Sequence, residues 1–124
     1  MRYDPHKTPD AKAWLALDEG ERIELIAEYH RQTGVELPNA QLHAAIHTVV
    51  ENQLAEGLEV AREALARLRA EGLDRHDAIH AIGSVAAEHM WMLLREKPKA
   101  PDPNALYAQA LRSLTARSWM EGGG

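Results

Sequence analysis

The chain has 124 residues, seven histidines, no cysteine and no phenylalanine, with a formal net charge of -5. That length suits a single domain able to bury a core without disulfides. The missing thiols exclude a disulfide framework and a thiolate metal site, so any bound ion must be held by nitrogen and oxygen. Arg62, Arg67 and Arg69 interleave with Glu59, Glu63 and Glu71, which argues against the clustered basic face that nucleic acid requires. No apolar run approaches a membrane span, and the N-terminus lacks a signal peptide's hydrophobic core. The expectation is a soluble, cytoplasmic, single helical domain over residues 1–124, with 1–8 and 121–124 flexible.

In chain order, Thr8 as N-cap with Pro9 at the first helical position opens a short helix carrying Trp14, Leu15 and Leu17. Asp18 with Glu21 three residues on makes a capping box for a second helix ending at Gly34, with Ile23, Ile26, Ala27 and His30 inward. A lone histidine on such a face is first a satisfied core or boundary residue, and only second a ligand. Pro38 and Asn39 begin a third helix, about 39–56. A fourth, Leu58 to Glu71, turns Leu58, Ala61, Ala64, Leu65 and Leu68 inward, and Gly72 closes it. Asp74 caps the fifth, about 74–96. Lys97-Pro98-Lys99-Ala100-Pro101 breaks the chain before a last helix from Asp102 and Pro103, with Leu106, Tyr107, Ala110, Leu111 and Leu114 as its apolar face. No strand-like alternation appears. The fold class is all-α, a small bundle of about five to six helices.

Two of these helices carry histidine pairs at i and i+4, His43 with His47 and His76 with His80. At about 100° per residue each pair stacks on one face. On the first helix Leu42, Ile46, Val49, Val50 and Leu54 form the apolar arc, with His43 inside it, His47 at its edge and Glu51 beyond it at about 80° from His43. On the second, His76 and His80 lie within an arc of Ile79, Ile82, Gly83, Ala86, Ala87, Met90, Trp91, Leu93 and Leu94. Glu88 falls at about 120° from His76 and reads as a solvated residue, and His89 reads as a flank residue. Buried imidazoles need partners for both ring nitrogens. Four of them on two apolar faces point to one shared ion, zinc or iron, held by His43, His47, His76 and His80, with Glu51 and Glu88 as weaker ligand candidates. If one connecting helix leaves the two histidine helices parallel, the pairs meet at similar heights. Trp91, on the same side as His80, can wall off a pocket there.

The string from Leu42 through His43 and His47 to Glu51-Asn52-Gln53, followed by His76, His80, Glu88, Trp91 and Arg95, resembles the bacterial domain-of-unknown-function 1841 family. The match spans about residues 39–96. Asn52 between Glu51 and Gln53, and Ser84 four residues after His80, depart from that pattern. The resemblance implies that the two histidine helices belong together, and it implies no enzyme activity. The pairs His47 with Glu51 and His76 with His80 also look like ligand motifs of hemerythrin-like bundles, although the last helix here has no histidine.

Two functional readings follow. The first is a metal-binding bundle; if the ion keeps an open position, bound water is activated for hydrolysis with Glu51 as general base. HAAIH lacks the glutamate beside its first histidine that a zinc protease requires. The second is a non-catalytic interaction or oligomerisation module, a homodimer for example, with a buried histidine hydrogen-bond network.

Overall fold

A computed structural model describes residues 1–34, 39–95 and 102–121. Seven helices appear among them: α1 (Ala11–Ala16), α2 (Glu19–Gln32), α3 (Ala40–Ala55), α4 (Glu59–Ala70), α5 (Arg75–Arg95), α6 (Pro103–Ser113) and α7 (Ala116–Glu121), with no strand among the described residues. The all-α class holds. The breaker at 97–101 and the last glycines lie outside the described residues.

Short polar side chains set most helix starts. Asp18 and Glu21 complete the expected capping box on α2. Asn39 accepts from the Leu42 amide at 3.0 Å to start α3, and Asp74 accepts from the Asp77 amide at 2.8 Å to start α5. The cap of α1 is Asp10 rather than Thr8: its carboxylate accepts from the Ala13 amide at 3.0 Å, which leaves Pro9 outside the helix. The α7 helix was not expected from the sequence. Its start is reciprocal, with the Ser118 amide donating to Thr115 Oγ1 at 2.9 Å and the Thr115 amide to Ser118 Oγ at 3.0 Å. Gly57, at φ 82°, turns the chain from α3 into α4 in a left-handed conformation that side chains resist.

Helix α3 is the central element, because it contributes to two separate cores. Ala44 packs with Tyr3, Trp14, Ile26 and Ala27 from the N-terminal segment, α1 and α2. Val50 and Leu54 pack with Ala61, Ala64 and Leu68 of α4, Ile79 and Ile82 of α5, and Leu111 of α6. Covered on both sides, α3 buries Ala44, His47, Thr48, Val50, Glu51 and Leu54. That face centres at about 60° from His43, so Glu51 sits inside it and Leu42 is exposed, the reverse of the apolar-arc expectation. Residues 1–8 are not a loose tail, for Tyr3 and Pro5 are buried.

The far end of α5 also departs from its expected face. Met90, Trp91, Leu93 and Leu94 are exposed, Trp91 by 58% with the Arg95 guanidinium 5.5 Å from its ring centroid. Leu58, expected inward on α4, is exposed as well. No helix among the described residues is long and apolar enough to cross a membrane.

Candidate metal centre

Five imidazoles converge where α2, α3 and α5 meet. His43 and His47 come from α3, His76 and His80 from α5, and His30 from the last turn of α2. Nitrogen atoms of His30, His47, His76 and His80, one from each ring, all lie within 4.8 Å of one another. His43 flanks this set, its ring centroid 4.7 Å from that of His30 and 4.9 Å from that of His80. His47 lies between the helices, stacked on His76 at 5.3 Å and 5.1 Å from His80.

The structure therefore joins both predicted pairs at a similar height, but with α5 running opposite to α3 rather than parallel to it. His43 meets His80 rather than His76, because the start of α5 lies beside the C-terminal half of α3, where Arg75 pairs with Glu51. It also adds His30, which its single occurrence on an apolar face made look like an ordinary core residue. His6, in the N-terminal segment, brings its ring to 5.6 Å from His76.

The hydrogen-bond state of these rings is unusual. The Nε2 atoms of His30, His43, His47, His76 and His80, and both nitrogens of His47, are buried without a hydrogen-bond partner among the described residues. Such orphaned polar atoms cost about 1–3 kcal/mol each unless something completes them. His30 Nδ1 lies 2.8 Å from the Ile26 carbonyl oxygen. A carbonyl only accepts, so Nδ1 carries the proton and donates, and Nε2 presents its lone pair to the cluster.

Burial and mutual repulsion favour the ligating, neutral form of His43, His47, His76 and His80. Burial, followed by the neighbouring imidazoles His80, His76, His30 and His43, holds His47 well below the usual histidine range. Burial and the facing rings bring His76 and His80 to about 4, against a small opposing effect from Asp74. His43 is lowered by burial and then by His30.

The two carboxylates proposed as weaker ligands have other surroundings. Glu51 is 1% exposed, but its oxygens accept from Arg75 Nη1 and Nη2 at 2.9 and 2.8 Å, and Tyr3 Oη donates to the same carboxylate. Arg75 also donates to the Pro5 carbonyl at 2.9 Å. Burial by itself lowers the Arg75 pKa, but the hydrogen bonds and charge of Glu51 outweigh it and leave it raised. Tyr3 is pushed well above its ordinary value by burial and then by Glu51, and its ring packs edge-on to His47 at 5.7 Å. Glu51 is thus the anchor of a buried ion pair one helical turn from His47, with both oxygens engaged, and is not poised as a general base. Glu88 is exposed and lines a different cleft, with His89, Met92 and Leu106. His89 packs against Tyr107, ring centroids 5.1 Å apart.

Neither Arg75 nor Tyr3 was expected at this centre. A lone arginine at a helix start looks like surface charge, and Tyr3 sits in a polar, proline-broken stretch. Trp119 of α7, rather than Trp91, lines the cleft beside His43, His47 and His80. Comparison with protein-family models, curated proteins and solved structures finds no match for this chain.

Proposed function

We propose that this protein is a metal-binding helical bundle in which one divalent transition ion is held by His30, His47, His76 and His80, with His43 at its edge. The observation that carries the reading is that His30, His47, His76 and His80 each bring a ring nitrogen within 4.8 Å of the others, while each keeps a buried Nε2 without a hydrogen-bond partner among the described residues. Four nitrogens around a tetrahedral zinc at roughly 2.0–2.1 Å lie about 3.3 Å apart. The present spacing of up to 4.8 Å is wider, so a bound ion would draw the four rings inward. Metal binding needs deprotonated imidazole, and the depressed pKa values supply it at neutral pH.

The donor set favours zinc over iron. Among the described residues it is nitrogen only, whereas the usual non-haem iron arrangement adds a carboxylate to two histidines; here Glu51 is held by Arg75. Thermal unfolding of untagged protein tests the reading. Zinc raises the Tm of the chelator-stripped wild type and leaves His76→Ala and His80→Ala unmoved; an equal rise in all three overturns it.

A homodimer is a separate reading, supported by the exposed Met90, Trp91, Leu93 and Leu94 at the end of α5. Sedimentation equilibrium at micromolar concentration tests it. A monomer throughout sinks it.

A further inference from the structure

Beside the histidine cluster, α3, α5 and α7 enclose a cleft of about 260 Å³. His43, His47, His80 and Ser84 are its polar lining, and Ile46, Ile79 and Ala87 supply apolar wall. Trp119 of α7 lines it as well, and its indole Nε1 is buried with no acceptor among the described residues. An indole N–H can only donate, so this orphan calls for an acceptor.

A second requirement is electrical. Four neutral imidazoles around a divalent ion leave both positive charges uncompensated in a largely buried place, which is costly without a counter-charge. Among the described residues no carboxylate supplies one from within. Glu51 is neutralised by Arg75, and Asp74, the acid that acts on His76 and His80, is exposed at the start of α5. Asp77 is half-buried on the outer turn of α5 and is itself held above its usual range by burial and by Asp74.

We propose that this cleft admits a small organic carboxylate with an apolar body, whose head group approaches the ion and accepts from Trp119 Nε1 while its carbon skeleton lies against Ile46, Ile79 and Ala87. The proposal rests on the metal reading above. The carboxylate supplies the missing negative charge and the missing acceptor together, and the cleft has room and apolar wall for more than a water molecule.

Cobalt(II) loaded into chelator-stripped, untagged protein gives a visible spectrum that reports coordination, and acetate and benzoate are the probes. The expected result is that both anions change the spectrum, with benzoate half-saturating at least about tenfold below acetate, the scale on which an apolar pocket rewards added carbon. Ala87→Trp, which fills the cleft, removes the benzoate advantage and leaves cobalt binding intact. Trp119→Phe, which keeps the wall and deletes the donor, weakens both anions by about tenfold, as for a lost hydrogen bond to a charged group. Cobalt uptake with a spectrum indifferent to both anions overturns this inference alone, and so does equal affinity for acetate and benzoate, or an unchanged response in both variants. A failure to take up cobalt overturns the metal reading and this inference with it.

Discussion

His47 and Glu51 occupy adjacent turns of α3, both essentially buried at 2% and 1% exposure, and their partners separate their roles. Glu51 has a full set of hydrogen-bond partners in Arg75 and Tyr3, and the ring nitrogens of His47 have none among the described residues. Removing the carboxylate leaves the Arg75 guanidinium buried and unpaired, so Glu51→Ala is expected to cost about 3–5 kcal/mol in urea unfolding. The cost is the same with or without chelator. His47→Ala is expected to behave oppositely, lowering the stability of zinc-loaded protein and sparing the metal-free form, where the imidazole has no hydrogen bond to lose. The pH dependence follows from the same residues. The folded-state values of His47, His76 and His80 lie below the ordinary histidine value, so the unfolded chain takes up protons first as pH falls. Metal-free protein should therefore lose stability from about pH 6.5, the unperturbed histidine value, down to about 4 for His76 and His80. Above that window these groups contribute no pH dependence, and a flat stability profile between pH 7 and 4 by chemical denaturation would contradict the burial of neutral rings.

At the scale of elements, most helices were legible because their start signals are local. Asp18 with Glu21, Asn39 and Asp74 bond amides three residues ahead, and those bonds form wherever the chain is placed. The Thr115 to Ser118 reciprocal cap is equally local, but α7 spans only Ala116–Glu121 and carries too few apolar residues for a periodicity to show. Which face each helix buries was less legible, since a wheel assumes one neighbour. Helix α3 has neighbours on two sides, which brings in Ala44, Thr48 and Glu51 and turns Leu42 out. Gly83 illustrates what holds α3 and α5 in place. A Cβ there would come within 3.2 Å of Ile46 Cγ2. Gly83→Val should therefore push the helices apart, costing about 1–3 kcal/mol as overpacking and weakening zinc affinity by separating His43 and His47 from His80. Calorimetric titration checks the affinity, and undiminished binding would show that the helix spacing does not set the site.

Over the whole molecule, the histidine cluster draws on three helices that are far apart in sequence, and this is why its full membership could not be read there. The i, i+4 spacing exposes each pair. Nothing in the local sequence of α2 announces that His30 meets them, because that meeting depends on Trp14, Ile26, Ala27 and Ala44 packing α2 onto α3. An ion bound by all three helices acts as a cross-link that the unfolded chain cannot offer. Zinc at a thousandfold excess over its Kd is expected to stabilise the fold by about 4 kcal/mol. The most direct test is elemental analysis of untagged protein stripped with chelator, reloaded with zinc and desalted. About one zinc retained per chain in the wild type, and none in a His47→Ala, His80→Ala double variant, is the result expected for a single buried four-imidazole centre. No retained zinc in the wild type, or equal retention in the double variant, would contradict it.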